Sequence, residues 1–133
     1  MTFVTDTHPF VRHITGRRNR IGRRALSIFD SVKRGRDNLI VPFTVLEEIL
    51  LLSELGKIRL PSPFRDFLIG LGQAENFDLG INDSALLLEA ASFTTIKDPY
   101  DRLIIAQARV AGVPLITGDG EIQDSGLVRT VWD

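Results

Sequence analysis

The sequence predicts an α/β sandwich: a central, mainly parallel sheet flanked by helices in three layers. Three observations predict it. Short apolar runs alternate along the chain with longer amphipathic stretches, the pattern of strands joined by helical crossovers. The runs are flanked by Asp, Asn, Gly and Pro, residues that cap helices and make turns. The composition, 44% hydrophobic and 25% charged over 133 residues, is that of a globular domain with a core of its own.

The elements follow in order. Thr2-Phe3-Val4-Thr5 reads as a strand. Asp6 is a capping residue, and Pro9 suits a first turn, so a short helix is expected over residues 9–14, stopping near Gly16. Residues 17–24 are basic and contain a loop, and Ile21, Leu26, Ile28, Phe29 and Val32 make a helical stripe closed by Gly35. Leu39-Ile40-Val41 is too short for a helix and reads as a buried strand. A broad apolar helix face runs from Thr44 through Leu55, closed by Gly56. After the break at Leu60-Pro61-Ser62-Pro63, Phe64, Phe67, Leu68 and Leu71 form another short helix. Residues 77–79 read as a third strand and 83–91 as a Leu- and Ala-rich helix. Asp98-Pro99 opens a helix that runs to about Ala111 and ends at Gly112. Residues 113–117 read as a strand, Gly118-Asp119-Gly120 as a turn, and residues 127–132 hold a short edge strand. Nothing marks a linker or a repeat, so residues 1–133 are expected to be one domain.

Several function classes are excluded. Cysteine is absent, which removes disulfides, thiolate metal sites and a thiol nucleophile. No apolar run reaches the roughly 18 residues of a membrane helix, and the first residues lack the features of a secretory signal, so a cytoplasmic location is the expectation. The phosphate loop, the dinucleotide fingerprint and the serine elbow are all missing. A haloacid-dehalogenase phosphatase needs an Asp where His8 stands.

The net charge of −1 conceals an asymmetry: +7 over residues 1–36 and −8 over the rest. A polyanion on one surface and a cation on another would answer it, although a solvated helix face is the plain alternative. In open parallel sheets, ligands bind beyond the carboxyl ends of the strands. There the sequence places Asp6, Asp98, Asp101, Asp119 and the pair Glu47-Glu48. Asp6 and Asp98 also serve as helix caps, and Asp119 also suits a turn. Asp101 shares a stripe with Ile104, Ile105 and Ala108, so it faces inward and needs a partner. His8 and His13 lack metal-pair spacing, and Trp132 reads as a packing residue. Clustered carboxylates repel one another unless a divalent cation or a basic partner joins them. All-oxygen donors select Mg2+ or Mn2+, ions suited to phosphodiester chemistry.

Val4-Thr5-Asp6-Thr7-His8-Pro9, Val41-Pro42-Phe43-Thr44-Val45-Leu46-Glu47-Glu48-Ile49-Leu50, Asp98-Pro99-Tyr100-Asp101-Arg102-Leu103-Ile104-Ile105-Ala106-Gln107-Ala108 and Leu115-Ile116-Thr117-Gly118-Asp119 follow one another across nearly the whole chain. In this order and spacing the chain resembles the PIN-domain ribonucleases of the VapC toxin type. The resemblance implies a PIN-like sandwich and an Mg2+- or Mn2+-dependent endoribonuclease. It implies four acids around the metal, by motif position Asp6, Glu48, Asp101 and Asp119. Glu48 is chosen for its distance from Gly56, with neighbouring Glu47 left open. Asp98 would lie near the metal or act as a cap, and Thr117 would orient a carboxylate or water. Ile96-Lys97 departs from the His-Arg often found before Asp-Pro in close relatives. The implied partners are an RNA substrate, a small antitoxin that reaches into the acidic crevice with a basic side chain, and a second copy in a homodimer. Charge alone nominates Arg17, Arg18, Arg20, Arg23 and Arg24 for the RNA backbone. The competing readings are a PIN fold that binds RNA or a partner without cutting, and a PIN nuclease of RNA processing.

Overall fold

Five parallel strands form the sheet of the computed structural model, which describes residues 1–133: β1 (Thr2–Thr5), β2 (Asn38–Pro42), β3 (Phe77–Gly80), β4 (Leu115–Ile116) and β5 (Thr130–Val131), in the spatial order β3-β2-β1-β4-β5. Seven helices connect and cover them: α1 (Thr7–Ile14), α2 (Arg23–Lys33), α3 (Phe43–Glu54), α4 (Phe64–Gln73), α5 (Ser84–Ala91), α6 (Pro99–Ala111) and α7 (Gly120–Ser125), with a 3-10 turn at Arg18–Arg20. The expected sandwich is present, and every strand pairing is parallel.

The strands read as continuous apolar runs because helices cover both faces of the sheet. Phe3, Val4, Leu39, Val41, Leu115 and Ile116 are all buried. Each covering helix turns a helical stripe towards them: Ala25, Ile28, Phe29 and Val32 from α2, Val45, Leu46 and Ile49 from α3, Ile104, Ile105 and Ala108 from α6. These belong to one cluster of 27 buried apolar side chains, so the sheet and its helices share a single core. α6 is delimited as its sequence suggests, with Asp98 capping its first turn, Pro99 at its start, and Gly112 in the left-handed conformation at φ +68° beyond its end.

The strand order places the site. β2 and β3 build the sheet outward on one side of β1, and β4 and β5 on the other. The direction of winding therefore reverses between β1 and β4. At such a switch point the helices leaving adjacent strands diverge, and a crevice opens beyond the carboxyl ends. Asp6 follows β1 directly, and Thr117 and Asp119 follow β4.

Three expectations are corrected. α1 begins at Thr7 and not at residue 9, because Asp6 itself is the cap. The fourth strand is confined to Leu115–Ile116. Gly118-Asp119-Gly120 is the start of α7 and not a free turn. Two glycines mask that helix, since glycine weakens helix propensity by about 1 kcal/mol. The cap supplied by Asp119 offsets this.

Candidate functional site

Five acids, Asp6, Glu48, Asp98, Asp101 and Asp119, wall one cavity of about 400 Å3 at the switch point. They arrive from four places in the chain: the β1–α1 junction, the first half of α3, the start of α6 and the β4–α7 junction.

Asp6 is the most constrained. It is only 6% exposed. Its Oδ1 accepts the Thr7 N–H at 2.7 Å, and its Oδ2 accepts the Thr117 hydroxyl at 2.7 Å. Thr117 Oγ1 in turn accepts the backbone N–H of Asp119 at 3.1 Å. One buried hydroxyl thus links the acid after β1 to the acid after β4. Asp119 Oδ1 accepts the N–H groups of Glu121 and Ile122 and so caps α7. Asp98 caps α6 in the same way, accepting the Tyr100 N–H at 2.8 Å. Glu48 Oε1 accepts the Thr7 hydroxyl at 2.7 Å. Thr7 therefore holds Asp6 through its amide and Glu48 through its side chain.

Adjacent residues on a helix point about 100° apart. Glu48 lines the acidic cavity, while Glu47 is exposed and lines a separate depression with Phe43, Ile81 and Asn82.

Asp101 sits half-buried in the first turn of α6 and has no hydrogen-bond partner within the protein. Burial pushes its carboxyl up to about 7, and the charges of Asp6, Asp98, Asp119 and Glu48 push it the same way. Burial also raises Asp6 and Glu48, against the hydrogen bonds from Thr117 and Thr7 respectively, which favour the charged forms. The cavity is thus short of positive charge, as clustered carboxylates require.

The donor set suits a hard divalent cation. It is all oxygen and dense in carboxylates, and burial first, then the neighbouring carboxylates, push Asp101 up to about 7. The acids do not form a ready-made cluster of three metal ligands. That spacing is compatible with an ion that keeps several waters and takes few protein bonds, as Mg2+ commonly does.

Other residues complete the walls. His8, Arg12 and Trp132 all line the cavity, although the sequence marked none of them for it. Trp132 does pack, as its sequence context suggests: Cβ atoms added at Gly118 or Gly22 would stand 2.8 Å and 2.3 Å from its atoms. The five nominated arginines separate. Arg17 and Arg20 line a second cavity next to the acidic one. Arg18 makes a two-bond ion pair with Asp30 at 2.8–2.9 Å. Arg23 and Arg24 lie exposed in the first turn of α2, outside both cavities.

Residues 3–126 match the PIN domain family, and the chain belongs to that family. Membership supports a nuclease in general terms. Among solved structures, the fold is similar to VapBC2 of Rickettsia felis bound to a promoter DNA fragment, at a TM-score of 0.69 and 16% identity over 100% of both chains. It is similar to the DNA-bound VapBC of Salmonella typhimurium, at 0.67 and 16% identity over 98% of this chain and 97% of that one. A toxin–antitoxin complex from Klebsiella pneumoniae matches at 0.67 and 14% identity over 96% and 94%. No curated protein matches the chain. No helix is long and apolar enough to cross a membrane.

Proposed function

We propose that this chain is a Mg2+- or Mn2+-dependent endoribonuclease and the toxin of a toxin–antitoxin pair. The observation that carries the reading is the convergence of five carboxylates on one cavity at the switch point of a PIN fold. In this reading residues 1–133 act as a single PIN domain in the cytoplasm.

Asp6, Asp101 and Asp119 would hold the cation, with Glu48 engaging it through water. When bound, the ion would lower the pKa of a water and offset charge on the phosphate oxygens. The protein's own groups prepare for this. Thr7 and Thr117 fix Asp6 with both oxygens hydrogen-bonded, so its position does not depend on a ligand. Thr7 also fixes Glu48. Burial and the neighbouring acids push Asp101 up to about 7, so it would give up a proton in holding a cation near neutral pH. Asp98 adds negative charge to the same cavity while it caps α6.

Two partners fit the remaining surface. Large apolar side chains are exposed on α3 (Phe43, Leu50, Leu51) and on α5 (Leu87, Leu88). This is surface suited to a second copy or an antitoxin segment. A basic side chain of an antitoxin would relieve the same carboxylate repulsion as a cation does.

The test is cleavage of a mixed RNA pool with Mg2+, with Mn2+ and with chelator, beside Asp6→Asn. Metal-dependent cutting that disappears in the variant is expected. No cutting by folded, antitoxin-free protein would favour a PIN fold that binds without catalysis.

A further inference from the structure

A second cavity, of about 470 Å3, adjoins the carboxylate cavity and shares His8 and Arg12 with it. Its charge is opposite. Arg12, Arg17, Arg20, Lys57 and Arg59 line it, and no acid does. The cations come from two distant stretches of chain: the end of α1 with the 3-10 turn, and the segment after α3. The fold therefore gathers a positive concavity that neither stretch contains alone.

The groove is braced yet its charges are free. Arg12 Nη1 donates to the Arg20 carbonyl at 3.1 Å, tying α1 to the turn. The Arg18–Asp30 pair holds the same turn against α2. The three ion pairs of the protein join the N-terminus to Asp37, Arg18 to Asp30 and Arg109 to Glu89. None uses a groove cation. Unpaired cations in a concavity repel one another and attract a polyanion. Val11, Leu52 and Ile58 supply apolar wall between them, and the His8 imidazole, at the junction with the carboxylate cavity, is the one ring in the lining. Affinity there is therefore electrostatic and tolerant of sequence.

We propose that this groove binds the phosphate backbone of the RNA strand on one side of the bond placed in the carboxylate cavity. Arg12 stands at the junction of the two cavities. The proposal rests on the nuclease reading of the carboxylates, and it selects Arg17 and Arg20 from the basic N-terminal stretch. It also adds Lys57 and Arg59, which lie in the acidic remainder of the chain.

The test is equilibrium binding of a fluorescent single-stranded RNA oligonucleotide by anisotropy, in chelator so that nothing is cut, over a range of KCl concentrations. The variants are Lys57→Ala/Arg59→Ala and Arg17→Ala/Arg20→Ala. Lys33→Ala/Arg34→Ala serves as a charge-matched control outside both cavities. Each groove pair should weaken binding about tenfold and flatten the log–log salt slope by roughly 1.4, at about 0.7 per phosphate contact on a single strand. The control should do neither. All six side chains lie at the surface, and a thermal melt of each variant verifies its fold. Should a groove pair fail to fold, Lys57→Gln/Arg59→Gln replaces it. Groove variants that bind RNA like the control overturn the proposal, and leave the groove to an acidic protein segment. Cleavage is scored separately. Metal-dependent cutting with groove-independent binding removes the groove and keeps the nuclease. Groove-dependent binding without any cutting does the reverse.

Discussion

The two neighbouring cavities handle charge in opposite ways. In the carboxylate cavity four of the five acids are fixed by hydrogen bonds. Asp6 is held at both oxygens, Glu48 by Thr7, and Asp98 and Asp119 by the helices they cap. In the basic groove Arg17, Arg20, Lys57 and Arg59 end in solvent with no ion pair. Fixed carboxylates suit a small hard ion, whose ligands must stand at set distances. Unpaired, exposed cations suit a flexible polyanion, whose phosphates are met in many arrangements. The difference implies that substitutions in the first region act on turnover and metal affinity, and those in the second act on RNA affinity and its salt dependence.

The largest effect should come from Asp6→Asn. Removing its charge should lower RNA cleavage by about 10^3-fold and leave RNA binding in chelator intact. Loss of RNA binding in this variant would erase the distinction between the regions. Thr117→Val comes next. It removes the hydroxyl that donates to Asp6 and accepts from Asp119. Cleavage should fall about 10–100-fold, the usual cost of losing an outer-shell partner. Stability should fall by about 1–3 kcal/mol, because Asp6 Oδ2 is left buried without a donor. The affinity for Mn2+ and the melting temperature separate the two contributions.

Asp101→Asn should act in opposite directions on stability and activity. The carboxyl is raised to about 7 in the folded protein, so between about pH 4 and pH 7 the folded state binds more protons than the unfolded one. Stability attributable to Asp101 is therefore fully present at low pH and is lost as pH rises towards 7. The metal-free variant should melt higher than the parent at pH 8 and lose most of this pH dependence, while cleavage is abolished. Mn2+ should stabilise the parent more at pH 8 than at pH 5.5. A difference in melting temperature between parent and variant that stays constant across this window would contradict the electrostatic picture of the cavity. Smallest of all is Arg18→Ala. Its ion pair with Asp30 is exposed and screened by solvent, so the melting temperature should barely change. RNA affinity should change far less than in the groove variants, which sharpens the contrast between paired and free arginines.

The buried strands and long helices were legible because their signals are local. A stripe such as Ala25, Ile28, Phe29 and Val32, or a delimited unit such as Asp98-Pro99 to Gly112, is read within 15 consecutive residues. Asp6 and Asp119 were legible for the same reason: each stands at the junction of a strand and a helix, where a parallel sheet presents its ligands, while Asp98 and Asp101 open a helix marked by its own cap and proline. What stayed hidden depends on three-dimensional adjacency. Lys57 and Arg59 lie 37 or more positions beyond Arg20, and only the packing of α1 beside α3 brings these stretches together. Arg18 was indistinguishable from Arg17 and Arg20 until Asp30 on the next helix claimed it. α7 was masked by glycines on either side of its cap, and Trp132 joined the cavity only because β5 returns beside β4.

The most direct test is a calorimetric titration of Mn2+ into the protein at pH 7, repeated in buffers of different ionisation enthalpy, with Asp6→Asn and Asp101→Asn alongside. A carboxylate centre of the proposed kind predicts one dominant site, about 10–100-fold weaker in each variant. It also predicts proton release on binding by the parent that is absent in Asp101→Asn. Mn2+ binding that neither substitution weakens, or no binding at all, would contradict it.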